Sequence, residues 1–560
     1  MRPYLNNVSG KSVSDVITLQ GGINTCYDKT FIEDNQMPYM WNMALLEPPT
    51  LSVRNSRVSM AWFLEDTNTF AMGETLALFA SSSKILYQIM DMRTDENPDA
   101  DAYIYRYITS GGGFMKKEFV GSVIYSSQYY ICECVDAQNK YIIIGTMGKK
   151  YIYTEGGEMV DSKDLNYGLL ECHKNRLFVA NGTSLKFSHL REYDNFEINS
   201  DDVENTAGEI NITNAKGKIV AIKPYDGKLI IFCERSWHIL YGSSPNSEVD
   251  QFTLVDMDDG VGCVSHKTVN ICDRRLYWMD TDTAIYQYNG SYINRVSEPY
   301  GNDNYASYGG IKGIGIHMAS LHDVRMASYD SRLYVIVRRD PLLGSLNDTA
   351  LVYDVRTRVW WVEDGAFAEI CRLDVDTRTS AYSRSDFLIG AMYNGDLVIM
   401  NTEPIGKDLL FNLETRECDY IDIKYGFETK TWLLGSVKHK KTLTNVWFQA
   451  DANAKVYVSD HWTDILPWGA VPDDDYIKIG ELKSASSHSM DRPSKYFHEG
   501  TERQRLMIPR MYMQKVNALA IRVEGTGNAQ FYLLEKEWRI KWIYMITYNK
   551  LLMNGAEFWW

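Results

Sequence analysis

Between residues 139 and 400 short apolar runs and small polar breaks recur in one repeated order. A strand-like apolar run is followed by a polar turn and then by a second run ending in aromatic residues. NKYIIIGTMGKKYIYT begins at Asn139, NRLFVANGTSLKFS at Asn175 and GKLIIFCERSWHILYG at Gly227. RRLYWMDTDTAIYQYNG begins at Arg274, SRLYVIVRRD at Ser331 and SDFLIGAMYNGDLVIM at Ser385. Aligned on the first apolar residue, the marks are Tyr141, Leu177, Leu229, Leu276, Leu333 and Phe387, at separations of 36, 52, 47, 57 and 54 residues. An earlier stretch of the same character, ETLALFASSSKILYQIM, starts at Glu74. β-Branched and aromatic runs on either side of Asn-Gly, Gly-Lys or Asp-Thr predict β-hairpins. A lone hairpin is marginal in water, so successive hairpins must stack to bury their faces. Recurrence at roughly 40–55 residues matches the spacing of four-stranded propeller blades. The pattern predicts an all-β chain built on a β-propeller of six or seven blades. An array of β-sandwiches without radial closure is the competing arrangement.

The flanks differ from this middle. Residues 1–55 contain GGINTCYDKTFIEDNQMPYMWNM and then PPTLSVR, which predicts an extended N-terminal arm with turns and no domain of its own. The propeller is expected over residues 56–410. Beyond Glu403-Pro404 the repeat is lost, and residues 419–450 alternate apolar and polar as half-buried strands do. A polar, loop-like stretch follows over 466–505, before strand patterns resume in RLMIPRMYMQKVNALAIRVEG and AQFYLLEKEWRIKWIYM. Residues 411–545 are therefore expected to form a C-terminal β-sandwich. The tail, 546–560, carries Phe558, Trp559 and Trp560. It reads either as an interface anchor or as a segment folded back on its own domain.

Composition supports this picture and narrows the function. Of 560 residues 13% are aromatic, with 38 Tyr and 14 Trp, which favours strands and protein–protein contacts. The net charge of −15 argues against a protein that grips nucleic acid tightly, since such surfaces are basic. It is compatible with a wall past which DNA slides, because like charge keeps phosphates from sticking. The nine Cys (Cys26, Cys132, Cys134, Cys172, Cys233, Cys263, Cys272, Cys371 and Cys418) are odd in number and lack framework spacing, so buried free thiols and a reducing compartment are expected. MRPYLNNVSGKSVSD lacks the apolar core of a signal peptide, and no run approaches the ~20 apolar residues of a membrane span.

Catalytic patterns are sparse. The sequence has no His-Glu-x-x-His, no nucleophile elbow and no phosphate loop. His173, His189 and His238 lie in or beside strand patterns, where hydrogen-bonded structure is the expected role. Cys132-x-Cys134 alternates across a strand and is not a metal knuckle. Asp256-x-Asp258-Asp259-Gly260 has the start of a calcium loop without its distal Glu, and Asp280-x-Asp282 belongs to a hairpin turn. The basic clusters Lys438-His439-Lys440-Lys441, Arg338-Arg339 and Lys149-Lys150 are small, and are expected on solvated faces or in intersubunit salt bridges. No residue is assigned as catalytic, cofactor-binding, metal-binding or gating, no cofactor is expected, and the chain is expected not to be an enzyme.

Several segments together resemble the β-propeller tail hub or nozzle proteins of short-tailed bacteriophages, the tail tubular protein B and packaged-DNA stabilisation type. These are GGINTCYDKTFIEDNQMPYMWNM, NRLFVANGTSLKFSHLREYDNFE (from Asn175), GKIVAIKPYDGKLIIFCERSWHILYG (from Gly217) and GVGCVSHKTVNICDRRLYWMDTDTAIYQYNG (from Gly260). GFETKTWLLGSVKHKKTL and RMYMQKVNALAIRVEG resemble the C-terminal sandwich. The likeness covers most of 20–300 and 425–540 and is one of pattern and order. It implies a homo-oligomeric ring, commonly hexameric, in the virion tail and assembled in the host bacterial cytoplasm. Its implied partners are portal or adaptor proteins, tail fibres or spikes, and double-stranded DNA passing through without sequence-specific contact. The other expectation is a receptor-binding or glycan-processing propeller at the host surface.

Overall fold

The computed structural model describes residues 12–64, 73–94, 97–109, 115–136, 139–164, 168–257, 260–299, 309–339, 346–374, 386–434, 441–459, 476–484, 503–508, 514–516 and 518–540. It is nearly all strand, in two compact units. One comprises residues 23–26 and 54–423, the other 1–22, 27–53 and 424–560.

The first unit is a seven-bladed β-propeller. Six blades are four-stranded antiparallel sheets in simple chain order, over residues 75–123, 130–164, 170–211, 219–257, 269–295 and 325–364. We number them blades 1 to 6. Each mark in the sequence repeat falls on the second strand of a blade: Tyr141 in Lys140–Gly145, Leu177 in Arg176–Asn181, Leu229 in Lys228–Cys233, Leu276 in Arg275–Met279, Leu333 in Arg332–Val337 and Phe387 in Asp386–Met392. The reason is local. In blades 3 to 6 the first hairpin turns through two residues that both have positive φ: Lys174-Asn175, Asp226-Gly227, Asp273-Arg274 and Asp330-Ser331. That is the two-residue loop whose twist matches paired strands. The next strand opens on Arg or Lys and is then mostly apolar, because it lies mid-blade with both faces covered.

Blades are held together by their faces. Phe232, Trp237 and Ile239 of blade 4 pack on Leu276, Trp278 and Tyr286 of blade 5, with the Trp237 and Trp278 rings 5.6 Å apart. Phe178, Leu185 and Phe187 meet Ile222, Leu229 and Leu240 between blades 3 and 4. Blades 1 and 2 share Tyr87, Ile89 and Ile104 with Ile142, Ile144 and Tyr153. Each such side chain contributes roughly 2–3 kcal/mol on burial.

Closure falls to blade 7, which runs from Phe367 to Asp422 in six strands. Its fourth strand comes from the other end of the propeller: Ser56–Ser59 pairs antiparallel with Leu397–Thr402. Two polar devices fix this clasp. Arg54 donates from Nη1 and Nη2 to the two carboxylate oxygens of Asp408 at 2.9 and 2.7 Å, and from Nε to Asp364 at 3.0 Å. Arg57 also reaches Asp364, at 2.6 Å. Farther in, Ser59 Oγ donates to Asp396 Oδ1 at 2.7 Å. Burial pushes the Asp396 carboxyl up to about 7, against the pull of the Ser59 hydrogen bond and the nearby Lys117. Gln88 Nε2 of blade 1 donates to the Gly395 carbonyl at 3.0 Å, so blade 1 is tied to the same turn.

The propeller therefore extends past the expected boundary at 410. Lys407–Asn412 and Glu417–Asp422 form a further hairpin on blade 7, and the chain leaves this unit at Ile423. That hairpin alternates apolar and polar residues because its outer strand is largely exposed, which made it look like the start of the next domain.

The second unit is a β-sandwich made by folding one ten-stranded sheet over on itself. Lys441–Ser459 and Ala520–Ile540 pair along almost their whole length. The register slips by two residues between Ala452 facing Ala529 and Ala454 facing Gly525. There the second strand turns a corner through Gly527, at φ +86. Folding is evident from Phe531. Its ring lies 5.1 Å from Phe427, whose strand partner on the far side of the corner is Val523, eight positions away. A straight strand would hold those positions about 27 Å apart. Gly525 is forced, since a Cβ there would stand 2.3 Å from Tyr425 Oη and 2.5 Å from the Asn453 carbonyl.

The N-terminal arm belongs to this sheet. Ser12–Thr18 pairs with the end of Ala520–Ile540, Tyr39–Trp41 pairs with Lys424–Glu428, and Thr50–Val53 reaches Phe531 and Gln530. Apart from Arg54 and Asn55 beside the clasp, only residues 23–26 of the arm join the propeller, where the Ile23 amide donates to the Trp360 carbonyl at 2.8 Å. A strand whose partner lies ~400–500 residues on has no local signature, so the sequence reading of 1–55 as an arm without a domain missed it. Likewise Ile477–Leu482, inside the stretch read as loop, is a strand on Lys441–Ser459, and Arg503–Met507, where strand pattern is expected to resume, is another. The tail 546–560 lies outside the described residues.

Candidate functional site

The first strand of each blade faces the propeller axis, and one short turn occupies it. His266–Thr268, just before blade 5, is a 3-10 turn tightened by Thr268 Oγ1, which donates to the Ser265 carbonyl at 2.8 Å. Lys267 Nζ hydrogen-bonds to Glu369 of blade 7 and donates to the Leu76 carbonyl of blade 1 at 3.3 Å. Arg325 Nε of blade 6 donates to the same Glu369 oxygen at 2.8 Å. On the other side, the His266 ring lies 5.8 Å from Tyr130 of blade 2, and its Nε2 is 3.8 Å from Glu171 of blade 3. Lys223 of blade 4 meets Glu171 at 3.3 Å. The turn thus spans the axial channel and joins blades on opposite sides.

Charge in this plug follows from burial. Desolvation, with Arg325 alongside, pushes Lys267 down to about 8, and Glu369 opposes that shift. Burial and the neighbouring Lys223 and Lys267 push His266 down to about 3. His266 is neutral at pH 7, so Glu171 has Lys223 as its ionic partner there.

Above the plug a funnel of about 810 Å³ opens among the turns of blades 2 to 6. Its walls include Tyr130, Leu169, Val220 and Leu321, with Arg235 and Lys218 among the polar lining and Ser265 beside the plug. These positions come from the connections between blades, from the starts of first strands such as Tyr130 and Val220, and from the turns between second and third strands. In the second unit a depression of about 620 Å³ beside Gly525 is lined by Lys424, Lys455 and Lys483 together with Glu481 and Glu524. Its charges are mixed.

One constellation was not visible in the sequence. Ser236 Oγ lies 3.2 Å from His238 Nε2, and His238 Nδ1 lies 2.8 Å from Asp256 Oδ1. The order is that of an acyl-transfer triad. Its exposure is reversed: Ser236 and His238 are buried, whereas the Asp256 side chain is 36% exposed. Ser236 Oγ also accepts the Lys216 amide at 3.0 Å, and Asp256 accepts from Asn214. The hydrogen bonds from Asn214 and then His238 hold Asp256 below the usual carboxylate range. The arrangement staples residues 214–216 to blade 4 and presents no nucleophile to solvent. Only strand register brings these three residues together, with His238 directly opposite Asp256.

The remaining sequence candidates are placed as follows. Cys132 and Cys134 point into one seam with Cys172, between blades 2 and 3. Burial raises both strand thiols. All nine cysteines are free thiols, five of them buried. Among the described residues no group of three or more His, Cys, Asp or Glu could hold a metal ion. Asp280 and Asp282 are engaged by their own turn, accepting the Thr281 and Ala284 amides at 2.7 and 2.8 Å. Asp258 and Asp259 lie outside the described residues, as do Lys438, His439 and Lys440. Lys150 and Lys441 are buried, not solvated, and Lys150 Nζ donates to the Tyr193 carbonyl at 3.3 Å. Arg338 and Arg339 are tied to Ser320 and the Ile314 carbonyl. His173 is buried, and that burial pushes it down to about 4. Among the described residues no helix is long and apolar enough to cross a membrane.

No protein-family profile matches the chain, and no curated protein does. Solved structures align with part of the chain. A chain of the mitotic checkpoint complex is 10% identical, with 63% of this chain and 95% of that chain aligned and a TM-score of 0.36. Raptor from Chaetomium thermophilum gives 10%, 63% and 30%, with a TM-score of 0.37. BamB from Moraxella catarrhalis gives 11%, 62% and 99%, with 0.32.

Proposed function

We propose that this chain is a structural subunit of a bacteriophage tail hub or nozzle, assembling as a ring around the DNA exit path. The observation that carries the reading is the double locking of the propeller. The Ser56–Ser59 clasp closes its rim, and the Lys267 plug spans its axis. A propeller fixed in both places suits a load-bearing block, and DNA would then pass along the axis of the ring and not through any one propeller. The net charge of −15 suits a wall past which a polyanion slides. The ordered likeness to nozzle proteins adds the virion setting, with adaptor and fibre proteins as neighbours. The funnel favours a second reading, a receptor- or glycan-binding propeller, because it is a preformed concave site.

Particle mass and negative-stain images of the purified chain, alone and with a tail adaptor complex, separate the two. A ring with an axial hole in either sample supports the nozzle. A chain that stays monomeric and never joins the adaptor sinks it, and glycan binding then becomes the measurement of interest.

A further inference from the structure

We propose that the propeller funnel receives residues 554–560 of a neighbouring copy, so that the tail of each subunit is the peg and the funnel of the next is the socket. The inference rests on the ring reading above and names the contact that would build the ring.

The socket is preformed. Its volume of about 810 Å³ falls within the usual range of binding pockets, ~300–1,000 Å³. Its walls combine apolar side chains, Tyr130, Leu169, Val220 and Leu321, with the cations Lys218 and Arg235. Lys218 has Glu234 3.9 Å away, whereas the exposed Arg235 guanidinium makes no ion pair among the described residues. Such a site fits a short segment bearing large aromatic anchors and one carboxylate.

The chain supplies that segment itself. Residues 554–560 read Asn-Gly-Ala-Glu-Phe-Trp-Trp, with Glu557 beside three consecutive aromatics. Aromatic rings would enter between the blade turns, and Glu557 would meet Arg235. Arg235 also offers a planar cation for an indole face. The description of the second unit ends at Ile540, and the twenty residues beyond it can extend up to ~70 Å, enough to reach an adjoining molecule. Peg and socket are different surfaces, so the contact is heterologous. Contacts of that kind close into rings when the rotation between copies allows it.

The test uses the full chain. Trp559→Ala with Trp560→Ala, Arg235→Glu and Glu557→Arg each change groups outside the propeller core, and far-ultraviolet circular dichroism with thermal melting checks that each variant folds. The concentration at which rings half-assemble should rise about thirtyfold for the tryptophan pair and for Arg235→Glu. It should return toward wild type when Arg235→Glu and Glu557→Arg are combined. A photo-crosslinking residue in place of Trp560, in a mixture of heavy- and light-isotope chains, should give heavy–light products on peptides containing Val220 or Leu321. Crosslinks confined to one chain, or lying outside the funnel, overturn the proposal. If wild type and the tryptophan variant form rings equally well, the peg is wrong and the ring reading stands. If wild type never forms a ring, both fall.

Discussion

The propeller and the folded sheet are both all-β, yet they are assembled on opposite principles. Six blades of the propeller pair strands adjacent in sequence, and only the Ser56–Ser59 clasp reaches across it. In the folded sheet the central pair, Lys441–Ser459 with Ala520–Ile540, spans some 80 residues, and strands from residues 12–53 join from the other end of the chain. The propeller concentrates its non-local dependence in one seam, while the sheet spreads it over nearly every strand. Damage at the seam should therefore act on the whole propeller, and damage in the sheet should be graded by position.

The sharpest challenge to that contrast is Arg54→Ala. It leaves the buried Asp408 without its guanidinium partner behind the clasp, while Asp364 keeps Arg57, and breaking a buried pair in this way costs about 3–5 kcal/mol. Urea unfolding should show a matching loss. Removing the more exposed pair with Arg93→Ala should cost no more than about 1 kcal/mol. Equal effects would mean that the clasp does not concentrate stability.

A second measurement uses pH. Asp396 sits at about 7 in the folded chain against 3.8 as a free side chain, so the fold favours its neutral form. Its contribution is complete below pH 3.8, declines as pH rises, and is lost above 7, a total of up to about 4 kcal/mol. Asp396→Asn should flatten that slope between pH 4 and pH 8, as recorded by unfolding at a series of pH values. An unchanged slope would place the titration elsewhere.

In the folded sheet, Gly525→Ala drives a methyl into Tyr425 and the Asn453 carbonyl and should destabilise by about 1–3 kcal/mol. Gly182→Ala, on an open propeller turn, meets no atom within 4 Å and should cost only the strain of its φ of +60, about 1 kcal/mol. An equally small effect is expected from Ser236→Ala, about 1 kcal/mol from the lost hydrogen bonds at the staple. That serine should also resist a fluorophosphonate probe. Rapid labelling would show a reactive nucleophile where the geometry gives a staple.

The same contrast explains what the sequence disclosed. Tyr141, Leu177, Leu229, Leu276, Leu333 and Phe387 could be found because a blade is a local object whose second strand is buried on both sides. Blade 1 was visible as a hairpin at Glu74, whereas the clasp was not, because its four residues carry no mark of the blade they complete. The arm strands were invisible for the same reason. At the axis, Lys267 lies in GVGCVSHKTVNIC, a segment quoted for its likeness, yet nothing in its spacing tells that the lysine reaches blades 1 and 7. Ser236, His238 and Asp256 are linked by register across two strands, which periodicity does not encode.

The clasp also sets a timetable. Ser56–Ser59 leaves the ribosome ahead of its partner Leu397–Thr402, which follows roughly 340 residues later. At ~5–20 residues per second, each nascent chain waits some 20–70 s with its opening strand unmatched. During that interval neighbouring polypeptides on one messenger carry compatible halves of the same closure. An exchange of clasps between them would yield an interlocked pair with every strand satisfied. Slow translation through residues 60–400 would lengthen the interval, and crowded polysomes would raise the yield of that by-product.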